Sequence, residues 1–241
     1  IAEVGEKLDG DTVIDADGLV VTPGFVDLQV HFREPGSEEA ETIQTGSRGA
    51  ALGGFTAVVV MPNTTPTIDS AAVVRQIHDL SIDALCEVVP SAAITVDRDG
   101  EALTPMAELV RSGVRMFTDE GVGVQDARVM RTALEYASGW THLADGFEIV
   151  LAQHCEVDAL AAGGAMHEGE WSSRLGMPGQ PAEAEELMIA RDLALARLTD
   201  GRMHFQHVTT ARGVDLIRAA KAEGLKVTGE ATPHHLCLDH S

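Results

Sequence analysis

From Phe25 onward, short apolar runs alternate along the chain with longer segments whose apolar residues recur every three or four positions. Runs of the first kind are typical of buried strands, and the second periodicity is typical of amphipathic helices. The apolar runs predict strands over residues 25–31, 55–61, 85–90, 114–118, 148–153, 203–207 and 225–230. The periodic segments predict helices near residues 38–52, 69–80, 101–112, 125–138, 182–199 and 210–223. Strands and helices that alternate at this spacing form parallel β/α units.

Polar residues gather at the carboxyl ends of the first, second, fourth, fifth and sixth predicted strands. Barrels of eight β/α units carry their active sites at these ends. An open, doubly wound sheet would also fit the alternation, but the polar strand ends favour the barrel. We therefore predict an α/β fold, with a (β/α)8 TIM-type barrel over residues 23–241 that is incomplete at about seven strands. A small β segment of the sandwich kind is predicted over residues 1–22.

The first predicted strand carries polar side chains at every second position. Asp27, Gln29, His31 and Arg33 share one parity, and the apolar residues between them share the other. Because strand side chains alternate between the two faces, these four project together. An edge strand with one solvated face would show the same alternation, but the Pro and Gly residues on both sides favour a buried strand that ends in a site.

The composition is that of a globular, strongly acidic protein. The 241 residues are 44% hydrophobic, enough for a sizeable core, and 38 Asp plus Glu outnumber 17 Lys plus Arg, for a net charge of −21. Nucleic-acid binding requires a basic surface, so the composition argues against this class. The overall field would repel an anionic substrate, so local arginines or a bound metal must hold it.

Neither a membrane segment nor a disulfide framework is predicted. No apolar run approaches the roughly 20 residues that a membrane span requires, and the first residues do not resemble a signal peptide. We therefore expect a cytoplasmic protein. Cys86, Cys155 and Cys237 are odd in number and lack a Cys-x-x-Cys pair, which argues against disulfides and against a thiolate zinc site.

Residues 23–36, Pro-Gly-Phe-Val-Asp-Leu-Gln-Val-His-Phe-Arg-Glu-Pro-Gly, resemble the first-strand motif of class I dihydroorotases, in the cyclic amidohydrolase group of the amidohydrolase superfamily. Further segments resemble motifs of that family in the same order: Met-Pro-Asn at 61–63, Phe-Thr-Asp-Glu-Gly at 117–121, His-Cys-Glu at 154–156, His-Val-Thr at 207–209 and Thr-Pro-His-His-Leu at 232–236. The Gly- and Pro-rich stretch 163–181 resembles a family segment and is expected to line the mouth of the site. The resemblance spans residues 17–235.

The resemblance implies a metal centre that holds one or two zinc ions. In the family, both histidines of an Asp-x-His-x-His motif bind one metal. His31 stands at the second of these positions and Gln29 at the first, where a neutral amide is a poor zinc ligand. Glu120, preferred over Asp119, matches the aspartate that bridges the metals. The two acids could instead cap the following helix.

Two further histidines, His154 and His207, match the ligands of the second metal. A lone strand histidine is usually a satisfied core residue, but two at the carboxyl ends of consecutive strands favour ligation of one ion. His204, of opposite parity to His207, is expected to be structural. His234 and His235 are expected to pack a loop.

The same resemblance implies that Arg33 and Asn63 hold a substrate carboxylate, although Asn63 after Pro62 could simply form a turn. The implied reaction is the reversible cyclisation of N-carbamoyl-aspartate to dihydroorotate in pyrimidine biosynthesis, with water activated by the metals. The aspartate expected to move the proton lies beyond Ser241. These 241 residues are therefore not expected to turn over substrate by themselves.

Gln29 and Glu120 both depart from the family pattern, and two alternatives stay open. One is a non-catalytic dihydroorotase-like subunit that assembles with aspartate transcarbamoylase. The other is a different cyclic amidase, such as a hydantoinase or allantoinase. These relatives use a carboxylated lysine as the bridge, and none of the three lysines (7, 221 and 226) lies near residue 120 in sequence. A homo-oligomer is expected in each case, and no role is assigned to residues 140–146.

Overall fold

The computed structural model describes residues 3–6, 8–140 and 146–239. The strands are β1 (Phe25–Val30), β2 (Phe55–Val60), β3 (Glu87–Pro90), β4 (Met116–Thr118), β5 (Val150–Gln153), β6 (Met166–His167), β7 (Gly179–Gln180), β8 (Met203–Phe205) and β9 (Val227–Gly229). The helices are α1 (Ile43–Leu52), α2 (Ala71–Leu80), α3 (Met106–Arg111), α4 (Ala127–Ser138), α5 (Asp158–Ala161), α6 (Glu170–Leu175), α7 (Glu183–Thr199), α8 (Ala211–Ala222) and α9 (Pro233–Cys237). A single 3₁₀ turn spans Val96–Arg98.

The strands form a curved parallel sheet in chain order. One part has the order β1-β2-β3 and the other β4-β5-β8-β9. A parallel bridge between Ala92 and Phe117 joins the two parts, with Ala92 N donating to Met116 O at 3.1 Å. All seven predicted strands are present, and the predicted α/β fold with an incomplete barrel is confirmed. In the described residues, β1 and β9 are the two open edges.

Apolar side chains pack on both faces of this sheet except at the edge strand β1, where Phe25, Val26 and Leu28 are exposed and the expected burial of the first strand is not found. The main core lies between strands and helices, with Phe117, Phe205 and Leu151 fully buried. A second cluster contains Met116 from β4, Ala152 from β5 and Met61, which directly follows β2. Packing on both faces holds the carboxyl ends of the strands in a common register.

Capping residues explain where several helices begin. The predicted first helix, 38–52, started too early, because Thr42 caps α1 through the backbone N–H of Thr45 and the helix begins only at Ile43. The predicted helix 101–112 is likewise shorter, since α3 begins directly after Pro105. Asp126 caps α4 by accepting from Arg128 N at 2.6 Å.

The Gly- and Pro-rich stretch 163–181 is more ordered than its composition suggests. It contains α6 between β6 and β7, which pair in parallel through Met166 with Gly179 and His167 with Gln180. Two-residue strands are too short to show a periodicity of two, so the sequence pattern did not indicate them.

Some expectations concern regions with little or no described structure. The described residues before Phe25 contain no strand and are mostly exposed, and the β segment over 1–22 stays a prediction. Residues 141–145 of the 140–146 link lie outside the described residues. Cys86, Cys155 and Cys237 are all free thiols, of which Cys155 is buried and Cys237 exposed. No helix in the described part of the chain is long and apolar enough to cross a membrane.

Candidate metal centre

Three side chains from different strand ends meet above the barrel. Glu120 follows β4, His154 follows β5 and His207 follows β8. Glu120 Oε1 lies 3.5 Å from both His154 Nδ1 and His207 Nε2, and the two ring nitrogens lie 3.0 Å apart. The potential ligand atoms of the three residues all fall within 4.8 Å of one another. Ligand atoms at this spacing could share one ion.

His31, at the end of β1, approaches the same carboxylate. Its Nε2 lies 3.8 Å from Glu120 Oε1, and its Nδ1 lies 3.0 Å from Asn63 Oδ1. An amide oxygen only accepts hydrogen bonds, so this contact favours the tautomer with the proton on Nδ1, whose unprotonated Nε2 could bind an ion placed between His31 and Glu120. A hydrogen bond to the second ring nitrogen is the usual support of a metal-binding histidine.

The residues fit a divalent cation. Glu120 Oε2 is buried and has no hydrogen-bond partner among the described residues. A buried carboxylate oxygen without a partner is costly, and a cation would remove that cost. Two nitrogens bound at about 2.0–2.1 Å to a tetrahedral zinc ion lie about 3.3 Å apart. The 3.0 Å between His154 and His207 is close to that separation.

The electrostatics of the cluster favour a charged Glu120. Burial raises its pKa, but contacts with His154 and His207 outweigh burial and lower it to about 2. For His207, burial has the opposite effect and lowers the pKa, but the contact with Glu120 raises the pKa above its ordinary value. For His31, burial dominates and lowers the pKa. A negative group surrounded by three imidazoles is an arrangement suited to a metal with neutral histidine ligands.

The neighbouring acids Asp119 and Glu120 have different surroundings. Asp119 has no exposed surface and accepts hydrogen bonds from the backbone N–H groups of Ile94 and Thr95 at 2.8 and 3.0 Å. Its carboxylate therefore ties β4 to the loop after β3. Of the two acids, Glu120 is the one grouped with the histidines. Its ligation of a metal, like that of the histidines, stays a proposal.

The loop that carries Glu120 is held close to β5. Arg98 Nη1 donates to the backbone carbonyl of Glu120 at 2.6 Å. Gly123 has a φ of +64°, and a Cβ at this position would lie 2.5 Å from the backbone oxygen of His154. Only glycine fits such a close approach without strain. These contacts fix the position of the Glu120 loop relative to the end of β5, where His154 lies.

Gln29 lies in a polar chain inside the barrel. Its Oε1 accepts from Gln206 Nε2 at 3.2 Å, and Gln206 Oε1 accepts from Thr118 Oγ1 at 2.7 Å. The amide oxygen of Gln29 thus has a partner directly after β8. Sequence reasoning missed Gln206, although a buried glutamine in an apolar strand requires polar partners and is a signal of such a network.

His207 reaches the cluster against the alternation of its strand. β8 ends at Phe205, and His207 has a left-handed backbone with a φ of +35°. Strand parity ceases to apply after the last paired residue, which lets His207 turn toward Glu120. His204 remains apart from the three-residue group. It is buried, and its Nδ1 lies 2.8 Å from Thr228 Oγ1.

The two residues expected to hold a carboxylate flank His31. Arg33 is exposed, has a φ of +61°, and contributes to lowering the pKa of His31 through its charge. Asn63 is half-buried and in contact with His31. Both side chains therefore belong to the same end of the barrel as the candidate ligands, and their substrate contacts stay a proposal.

A large cavity of about 1590 Å³ opens over the cluster. His31, Glu120, His154 and His207 contribute to its wall. His234 and His235, expected only to pack a loop, also line it from α9. His167 and Gln180 from the 163–181 stretch, which was expected to lie near the site, also line the cavity. The cavity could admit a small polar ring compound.

Comparison with known proteins identifies the family. The dihydro-orotase-like family matches residues 18–212. The chain is 46% identical over 240 residues to the dihydroorotase of Pelotomaculum thermopropionicum, covering 99% of the chain and 55% of that protein. It is 48% identical over 243 residues to the dihydroorotase of Leifsonia xyli, covering 99% of the chain and 54% of that protein. The chain thus spans about half the length of the curated relatives it matches.

Solved structures agree on the fold. The L-hydantoinase from Arthrobacter aurescens superposes with a TM-score of 0.76 at 20% identity, covering 96% of the chain and 52% of that structure. A D-hydantoinase superposes with a TM-score of 0.72 at 23% identity, covering 99% of the chain and 53% of that structure. With its ordered motifs, its incomplete barrel and the match over residues 18–212, the chain belongs to the dihydro-orotase-like family.

Proposed function

We propose that the protein is a zinc-dependent dihydroorotase that interconverts N-carbamoyl-aspartate and dihydroorotate, and that this chain supplies most of its metal site. The observation that carries the proposal is the convergence of Glu120 with His154 and His207 in a chain of the dihydro-orotase-like family. The relatives named dihydroorotase, at 46–48% identity, support the substrate class.

In this proposal His154 Nδ1 and His207 Nε2 hold the ion, and Glu120 Oε1 completes the group with His31 Nε2 nearby. A bound zinc would act as a Lewis acid and lower the pKa of its water from 15.7 to about 7. Asn63 keeps the His31 ring oriented through Nδ1. As ligands, His154 and His207 would be neutral, so the negative charge at the centre would come from Glu120.

Arg33 and Asn63 are proposed to bind the substrate carboxylate. The guanidinium group is suited to two parallel hydrogen bonds with a carboxylate, and the amide of Asn63 adds a donor. A net charge of −21 would otherwise repel an anionic substrate. The exposed Arg33 beside His31 supplies the local positive charge at the barrel mouth.

The glutamine at position 29 implies that two metal sites at this centre would differ in zinc affinity. Its amide oxygen accepts from Gln206, and a neutral amide is a weaker zinc ligand than imidazole. We therefore propose one tightly bound zinc at Glu120, His154 and His207, with a weak or absent second ion. Dihydroorotate turnover by the full-length protein with added zinc tests the function. Loss of turnover on removal of zinc and its return on addition would support it, and no turnover at any zinc concentration would contradict it.

A second candidate function has a specific observation in its favour. Gln29 stands where the family has a metal-binding histidine, and hydrogen bonds join it through Gln206 to Thr118 inside the barrel. The residue at this position thus has a structural role. Such repacking is expected in a non-catalytic dihydroorotase-like subunit that assembles with aspartate transcarbamoylase. Co-purification with that enzyme, together with absent turnover, would favour this candidate.

A hydantoinase or allantoinase is the weakest of the three candidates. In the described residues, Lys226 pairs with Asp200 and Glu148 near the amino ends of the strands, and Lys221 lies in the last turn of α8. Neither is placed to supply a carboxylated lysine beside Glu120. Turnover of hydantoin or allantoin above that of dihydroorotate would reverse this ranking.

A further inference from the structure

Glu185, in the first turn of α7, is a buried acid that sequence reasoning did not single out. It is 8% exposed, and its carboxylate accepts four hydrogen bonds from two consecutive threonines. Oε2 accepts from Thr209 N at 2.8 Å and Thr209 Oγ1 at 2.9 Å. Oε1 accepts from Thr210 N at 2.9 Å and Thr210 Oγ1 at 2.7 Å. Both oxygens are therefore used to hold one short segment.

That segment begins at the candidate ligand His207. The φ of His207, +35°, lies in the left-handed region that a non-glycine residue adopts only when its surroundings enforce it. On the other side of the segment, Val208 N donates to the backbone oxygen of Glu230 at 2.9 Å. Glu185 and Glu230 thus hold residues 208–210 from two directions, and the turn at His207 follows from where those residues are held.

The carboxylate also meets the start of α8. Thr210 caps this helix by accepting from Gly213 N at 3.0 Å. A Cβ at Gly213 would lie 2.9 Å from Glu185 Oε1 and 2.8 Å from Thr210 Oγ1. The carboxylate is therefore enclosed by α7, the segment after β8 and α8. A carboxylate that accepts four hydrogen bonds in such a position is held in one orientation.

We propose that Glu185 is a positioning residue for the metal centre: it fixes residues 208–210 so that His207 turns its Nε2 toward Glu120 and His154. This inference rests on the proposed metal site and extends it to a residue that touches no ligand atom of the ion. Supports of this kind around a metal typically contribute 10–100-fold in metal affinity or activity.

The test is metal binding by the full-length protein after removal of metal with a chelator. Zinc affinity is measured by competition with a chromophoric chelator, and the visible absorption of the cobalt(II) form reports ligand geometry. Glu185→Gln retains the shape but replaces an acceptor oxygen by a donor group. We expect zinc affinity to fall by about 10–100-fold, with an altered cobalt spectrum.

Glu183→Gln is the matched control, because Glu183 is an exposed acid in the same first turn of α7. Its zinc affinity and cobalt spectrum should equal those of the unsubstituted protein. A folded Glu185→Gln protein with unchanged affinity and spectrum would overturn the role of Glu185 alone. Absence of metal binding in the unsubstituted protein would instead overturn the metal centre, and this inference with it.

If Glu185→Gln does not fold, Thr209→Val provides the second test. It removes one hydroxyl donor to Glu185 Oε2 and leaves the backbone donor in place. We expect zinc affinity to fall by at least about threefold, which is the lower part of what one hydrogen bond contributes. An unchanged affinity and cobalt spectrum in Thr209→Val would then overturn the proposal.

Discussion

The buried carboxylate of Asp192 on α7 connects parts of the molecule that support the metal centre. Its side chain has no exposed surface, and it accepts from Gln153 Nε2 at 2.8 Å and from Arg191 Nε at 2.7 Å. Arg191 also donates to the backbone carbonyls of Val124 and Gln125, at 2.7 Å each. Asp192 therefore joins the end of β5 to the loop that follows Glu120.

Replacing Asp192 with Ala should strongly destabilise the protein. The substitution leaves the Arg191 guanidinium, 22% exposed, without its counter-charge, and it leaves the Gln153 amide with only the Val124 carbonyl oxygen, at 3.3 Å, as acceptor. Breaking a buried ion pair by removing one partner typically costs about 3–5 kcal/mol. Since Arg191 keeps two carbonyl acceptors and is not fully buried, we expect a loss near the lower value, about 3 kcal/mol.

Urea unfolding followed by circular dichroism measures this loss as a change in the free energy of unfolding. Asp215→Ala is the control, because Asp215 pairs with Arg218 on the exposed face of α8, where the side chains are 60% and 70% exposed. An exposed pair of this kind contributes less than about 1 kcal/mol. If the two substitutions lower the free energy of unfolding equally, the buried contacts of Asp192 contribute no more to stability than an exposed ion pair does.

Four further predictions concern the metal site, the packing and the pH dependence. Equilibrium dialysis of the full-length protein should find close to one tightly bound zinc, because Gln29 is engaged by Gln206; two ions of equal affinity would contradict this. Gln29→His with Glu120→Asp should add a second zinc and raise dihydroorotate turnover, and two bound ions without turnover would refute the dihydroorotase assignment. Gly46→Ala should lower the free energy of unfolding, measured by urea titration, by about 1–3 kcal/mol. The reason is that the new alanine Cβ would lie 2.3 Å from the Phe32 ring. An unchanged stability would show that the ring can move. Asp126→Ala should lower the free energy of unfolding at neutral pH, because Asp126 caps α4. The capping hydrogen bonds lower the pKa of Asp126 below 3.8, so the difference in unfolding free energy between the variant and the unsubstituted protein should shrink as pH falls below that value. A difference that does not change with pH would refute the role of the charge.

Local patterns in the sequence determined the architecture, and motifs that resemble those of a known family indicated the candidate site residues. Apolar runs bounded by turn residues located seven of the nine strands, those of the curved sheet, because a strand in a packed sheet requires contiguous apolar residues whatever its neighbours are. The polar residues at those strand ends included His31, Glu120 and His154, and parallel strands bring their carboxyl ends together. Helix starts were less accurate. The capping contact of Thr42, which places the start of α1 at Ile43, depends on side-chain geometry that periodicity does not report.

Tertiary structure alone decided which polar groups meet. Gln206 and Gln29 are separated by 177 residues and become partners only because the sheet curves into a barrel. The sequence indicated His207 as a candidate ligand, but the left-handed backbone with which it meets Glu120, at a φ of +35°, is a conformation that strand alternation does not predict. The four hydrogen bonds to Glu185 likewise connect positions 24 and 25 residues apart. The sequence pattern reports local preferences for burial and backbone conformation. These contacts depend instead on how elements distant in sequence pack against one another, and that packing depends on the whole chain.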